Sequence, residues 1–191
     1  MNVLLNIIQF PEKIQPRTLG TFSNTAQDGA MNAITHQTHA LSINPANGET
    51  VGSYPYESAA QLDAALTRAS TAFHKGRHTP VAQRAELLLA LAGALREQAE
   101  EMAQMITLEM GKPIAQARGE IEKCALLAEW YAAHGPAMLA PEPTLVDNGS
   151  AQIEYRPLGP ILAVMPWNFP VWQVLRGAVP TLLAGNTYVL K

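Results

Sequence analysis

An asparagine bracketed by prolines, Pro166-Trp167-Asn168-Phe169-Pro170, is the most chemically suggestive arrangement in the chain. A side-chain amide carries two N–H donors and one acceptor oxygen. Prolines on both sides fix φ and remove backbone donors, so the loop is stiff and cannot join a regular ladder. Lys191 supplies a second polar group at the end of a β-rich run. Each residue also has a plainer reading: Asn168 as a turn residue, Trp167 as packing, Lys191 as a solvated cation. Cys124 is the single cysteine, and its thiol has the chemistry of a nucleophile. No helix N-terminus or cation cluster is evident to lower its pKa, so the favoured reading is a small buried hydrophobe. His134, near a helix end, reads as a cap or surface residue; the other histidines (His36, His39, His74 and His78) lack metal-ligand spacing backed by carboxylates or thiols, and no metal site is expected. Arg176 reads as structural.

These groups need elements to position them. Ile161–Met165 is a continuous apolar run of the kind found in strands buried on both faces of a parallel sheet. Val171–Ala184 reads as a helix in which Gly177 and Ala178 allow close packing, Pro180 kinks or shortens the helix, and Gly185-Asn186 ends it. Thr187–Lys191 is rich in β-branched and aromatic residues and reads as a second strand. Strand, loop, helix and strand make a parallel βαβ unit with a right-handed crossover. In open α/β sheets, ligands bind beyond the carboxyl ends of the strands, where Asn168 and Lys191 fall. The glycine-rich dinucleotide fingerprint is absent, so a bound dinucleotide would have its diphosphate held some other way.

Upstream, Leu41-Ser42-Ile43 and Val51–Tyr56 flank the turn residues Asn44–Glu49 and predict a β-hairpin. Ser58 and Gln61 have the spacing of a capping box. Leu62, Ala65, Leu66, Ala69 and Phe73 follow on one helical face, with Gly76 placed to end the helix. Thr79-Pro80 reads as N-cap and first residue of the next helix, whose buried stripe is Leu87, Leu88, Leu91 and Leu95. Glu97, Glu100 and Glu101 mark a solvated side or a helix junction. Met102, Met105, Ile106 and Met110 continue the apolar stripe to Gly111-Lys112-Pro113, and a methionine stripe is ordinarily core. Ile114–His134 is a further amphipathic helix, closed by Gly135-Pro136. Pro141–Asn148 and Ala151–Arg156 read as an antiparallel excursion.

The 191 residues are 48% hydrophobic and 15% charged, a globular composition rather than a disordered one. A net charge of -3 without basic clusters argues against a nucleic-acid partner. No apolar run reaches the roughly 20 residues of a membrane span. One cysteine excludes an intrachain disulfide and suits a reducing cytoplasm. Residues 1–38 read as a flexible extension without a signal peptide, with Met31 as a candidate translation start.

The segment Val164–Pro170 resembles the signature of the aldehyde dehydrogenase superfamily. Glu109-Met110-Gly111-Lys112-Pro113 resembles a second family stretch and Asn44-Pro45-Ala46-Asn47-Gly48-Glu49 a third, in matching order and spacing. Within the family, Trp130–Met138 is most similar to bacterial succinate-semialdehyde dehydrogenases. The resemblance covers roughly Ala40 to Lys191. It implies an α/β fold: residues 39–191 as an incomplete parallel-sheet dinucleotide-binding domain, with N-terminal helices and antiparallel oligomerisation-type strands near 141–158. It implies NAD or NADP as cofactor, a small aldehyde as substrate and a homo-oligomeric intact enzyme. Asn168 would donate its amide to the oxyanion of a thiohemiacetal. Met165, Pro166, Trp167 and Asn168 would line the cofactor, and Lys191 would reach the adenosine ribose hydroxyls or a 2′-phosphate.

The family's cysteine nucleophile and glutamate base lie downstream of such a βαβ unit, and neither position falls in this chain. Cys124 precedes the signature and cannot be carried over. The resemblance therefore predicts a truncated chain, with a hydrophobic sheet edge, marginal stability, a tendency to aggregate and no turnover of its own. Two other readings remain: a non-catalytic subunit that binds full-length partners, and a free-standing nucleotide-binding module.

Overall fold

The computed structural model describes residues 38–191. The flexible extension, the Met31 start and His36 lie outside the described residues, apart from Thr38, which precedes the first strand.

β1 (His39–Ile43) and β2 (Thr50–Pro55) form the expected antiparallel hairpin, with an irregularity between Ser42 and Ile43. Its turn is closed by Asn44, whose Oδ1 accepts the Ala46 amide at 2.9 Å. Helix α1 (Ala59–Gly76) opens with the capping box read from the sequence. The Ser58 amide donates to Gln61 Oε1 at 2.9 Å, and the Gln61 amide to Ser58 Oγ at 3.3 Å. Its apolar face is only partly covered: Phe73 is buried, while Leu62 and Leu66 are exposed.

Helix α2 (Val81–Glu97) begins one residue later than read, with Pro80 as N-cap and no side-chain cap from Thr79. A one-residue shift of a helix end is the usual margin. Thr79 instead offers its carbonyl to the Arg84 guanidinium. Leu88 and Leu95 are buried as expected, but Leu87 is exposed and Ala85 and Ala92 complete the stripe. α3 (Ala99–Met110) follows directly, so the glutamates do stand at a helix junction. Met102 and Ile106 are core; Met105 is exposed. Gly111 ends α3 in the left-handed region at φ 74°, a conformation glycine adopts without the Cβ penalty.

α4 (Ile114–Met138) does not close at Gly135-Pro136, as the sequence predicts; it runs on through both. The reason is packing. A Cβ on Gly135 would stand 2.1 Å from Leu183 Cδ2, so the bare backbone lets the helix press against its neighbour. That contact outweighs the backbone bond that Pro136 cannot donate. α4 is the spine of the molecule, and its Ala117, Ile121, Cys124, Ala125, Ala128 and Ala132 pack against α2, α3 and α5. A face this rich in alanine permits close helix approach.

β3 (Glu142–Thr144) and β4 (Ala151–Ile153) pair antiparallel as a short exposed hairpin. β5 (Pro160–Ala163), α5 (Trp172–Leu183) and β6 (Thr187–Leu190) then form the βαβ unit, and β5 pairs with β6 in parallel. α5 continues past Pro180 and ends at Leu183, with Gly185 in the left-handed region at φ 89° just beyond its cap. Gly177 has the predicted packing role: a Cβ there would meet Tyr188 Oη at 2.6 Å and Met165 Cε at 3.0 Å. Among the described residues no helix is long and apolar enough to cross a membrane.

Candidate active site

β5 ends at Ala163, two residues sooner than the apolar run suggests, so Val164 and Met165 already belong to the loop. Lys191 continues the parallel ladder by one bond, its amide donating to the Ala163 carbonyl at 2.8 Å. The loop and Lys191 therefore leave the sheet at the same carboxyl edge. Trp167 (76% exposed), Asn168 and Lys191 are all exposed there; Met165 is half-buried against α5 at Gly177. Asn168 Oδ1 lies 3.5 Å from Gln173 Nε2, the limit of a hydrogen bond. Its amide nitrogen makes no hydrogen bond among the described residues and is free to donate. The site is an exposed surface.

A pair that the sequence reading did not single out lies behind this loop. Lys112 and Glu120 form an ion pair with 4% and 2% of their side chains exposed. Glu120 Oε1 accepts the Val171 and Trp172 amides, each at 2.9 Å. These are among the orphan amides at the start of α5, which has no cap from its own residues. The carboxylate therefore acts as a cap supplied by another helix, at the end where negative charge is favoured. Lys112 Nζ also stands 3.7 Å from the centroid of the Phe169 ring, a cation–π contact. One signal could have found Glu120: it sits between Ala117 and Cys124 on the buried face of α4, where an unpartnered carboxylate would be costly.

The other end of the βαβ unit is also fastened. Arg84 Nε donates to the Leu183 carbonyl at 2.7 Å, satisfying one of the last acceptors of α5. Asn186 Oδ1 accepts the Leu158 and Gly159 amides at 2.7 and 3.0 Å and so fixes the entry into β5.

Cys124 is fully buried in the helical core, and its thiol is pushed up to about 12, by burial first and then by the negative charge of Glu120. It takes no part in this surface. His134 is likewise structural, its Nδ1 lying 2.8 Å from the Trp130 carbonyl and its ring stacked on that indole. Among the described residues no group of three His, Cys, Asp or Glu side chains is placed to hold a metal ion.

The described residues thus combine a parallel βαβ unit that carries the asparagine loop at its mouth with a helical core and two antiparallel hairpins. The aldehyde dehydrogenase family model matches residues 33–191, and the chain belongs to that family. It is 60% identical over 158 residues to the succinate semialdehyde dehydrogenase [NAD(P)+] Sad of Escherichia coli, covering 83% of this chain and 34% of that one. It is 47% identical over 149 residues to a probable succinate-semialdehyde dehydrogenase [NADP(+)] of Synechocystis, with coverages of 78% and 33%. Among solved structures, succinic semialdehyde dehydrogenase from Streptococcus pyogenes in complex with NADP+ superposes with a TM-score of 0.75 at 32% identity, over 78% of this chain and 33% of that one. The chain thus spans about a third of the length of the relatives it matches.

Proposed function

We propose that these residues serve the NAD- or NADP-dependent oxidation of an aldehyde, succinic semialdehyde foremost, to its carboxylic acid. The observation that carries the reading is Asn168: an exposed amide at the carboxyl mouth of a parallel strand pair, on a loop anchored from behind. A donor held in place before reaction stabilises negative charge as it develops on the aldehyde oxygen. The names of the bacterial relatives support the substrate and the cofactor class.

The residues at the mouth fit a dinucleotide. Trp167 offers an exposed aromatic face, and Lys191 a cation suited to ribose hydroxyls or a 2′-phosphate. Met165, Pro166 and Asn168 complete the lining of residues 39–191 as a partial cofactor-binding domain. When bound, the dinucleotide supplies the hydride acceptor. The buried Cys124 does not serve as the nucleophile. The β3–β4 hairpin exposes Leu145, Val146 and Ile153, which suits assembly into a homo-oligomer. The single buried thiol is consistent with a cytoplasmic setting.

The test is a steady-state assay of the intact protein that carries these residues, with succinic semialdehyde and each cofactor. Reduction of NAD+ or NADP+ is expected. No turnover with either cofactor, across succinic semialdehyde and other short aldehydes, overturns the reading.

A further inference from the structure

We infer that Glu120 and Lys112 are positioning residues for the reaction, holding the Asn168 loop in its donor geometry from beneath. The inference rests on the oxyanion role proposed for Asn168. Three independent contacts converge on the loop and its exit. Glu120 Oε1 takes two consecutive amides, of Val171 and Trp172, at 2.9 Å each. The second oxygen is engaged by Lys112. The same ammonium stands under the Phe169 ring at 3.7 Å, one residue beyond Asn168.

The geometry explains why both partners are needed. A carboxylate has two acceptor oxygens; here one is used for the backbone and the other for the cation. Without Lys112 the carboxylate would be a buried unpaired charge. Without Glu120 two helix-start amides and an ammonium would be left without acceptors. Lys112 follows Gly111, whose left-handed turn ends α3, and Glu120 projects from the buried face of α4. The loop is therefore referenced to the helical core rather than to the sheet edge that exposes it. Asn168 itself touches neither residue in any hydrogen bond, so the effect passes through the backbone of 169–172.

Glu120→Gln separates the two demands with almost no change of volume. A glutamine has one oxygen: if it keeps the amides, its NH2 faces the ammonium, and if it serves Lys112, the amides lose their acceptor. A second variant, Lys112→Met with Glu120→Gln, leaves no buried charge and guards against simple misfolding. In the intact protein, both variants are expected to lower kcat by roughly tenfold to a hundredfold, the scale of a small displacement of a reacting group. Hydrogen exchange at the Val171 and Trp172 amides is expected to accelerate, while exchange at Ile121 within α4 stays slow.

The decisive step is to repeat the substitutions in an Asn168→Ala background. A positioning role predicts little further loss of kcat there, because the group being positioned is gone. An undiminished loss in that background overturns the inference, as does unchanged exchange at both amides. If Asn168→Ala alone leaves kcat intact, it is the assignment of Asn168 that fails. Amide exchange still decides separately whether Glu120 holds the loop: acceleration supports it and no change refutes it.

Discussion

Cys124 shows how a residue's chemistry is set by its surroundings. Its type permits nucleophilic attack, but its thiol is raised from an ordinary 9.0 to about 12 and is fully buried in the helical core. It should resist disulfide reagents between about pH 7 and 9 and react only on unfolding. Cys124→Ala should leave the activity of the intact protein unchanged. The folded state holds the thiol proton more tightly than the unfolded state, so this contribution to stability is present below pH 9.0 and is lost as the pH rises toward about 12. Urea unfolding of wild type and Cys124→Ala across that window should converge as the pH rises; parallel curves would contradict the assignment. Lys191 is the opposite case, an exposed cation at the sheet mouth. Lys191→Met should raise the KM for the dinucleotide with little effect on kcat, the mark of a uniform binding contact. Steady-state titration of the cofactor checks it. At this scale the sequence placed Asn168 and Lys191 at the carboxyl edge of the two strands and read the cysteine as buried, and both are found so. It did not show the Lys112–Glu120 pair, because neither residue type nor spacing states which helix start a carboxylate will meet 51 residues away.

The elements most legible in the sequence were those with local signals. The Ser58–Gln61 box, the Asn44–Glu49 turn and the βαβ order each depend on neighbours a few residues apart, and each is present. Those that departed were decided by distant contacts. α4 passes through Gly135-Pro136 because Leu183 fills the space a side chain would take. Gly135→Ala should therefore cost about 1–3 kcal/mol through overpacking, since Leu183 is itself buried and has little room to yield. Gly111→Ala should cost about 1–2 kcal/mol or more, from the left-handed backbone, and its Cβ would also meet the rigid Pro45 ring at 2.8 Å. Thermal unfolding of the two variants checks both values. Leu62 and Leu66 follow the helical period yet remain exposed, because periodicity reports which face is apolar, not whether another element covers it.

Among the described residues, a helical core centred on α4 carries three small two-stranded sheets. The parallel pair is only half covered: the residues of β6 are partly buried, while Leu162 on β5 and Val164 just beyond it are 67% and 66% exposed. Strands of this kind are ordinarily buried on both faces. A polypeptide confined to these residues should bind a hydrophobic dye and self-associate, which light scattering would detect; a dye-silent monomer would contradict that. The same openness is what leaves the mouth of the βαβ unit available to a ligand. The proposed chemistry depends on one amide at that mouth, and the most direct measurement is kcat for Asn168→Ala in the intact protein with succinic semialdehyde and saturating cofactor. Loss of a preorganised oxyanion donor predicts a fall of about a hundredfold to a thousandfold with the fold retained; a kcat equal to wild type would contradict it.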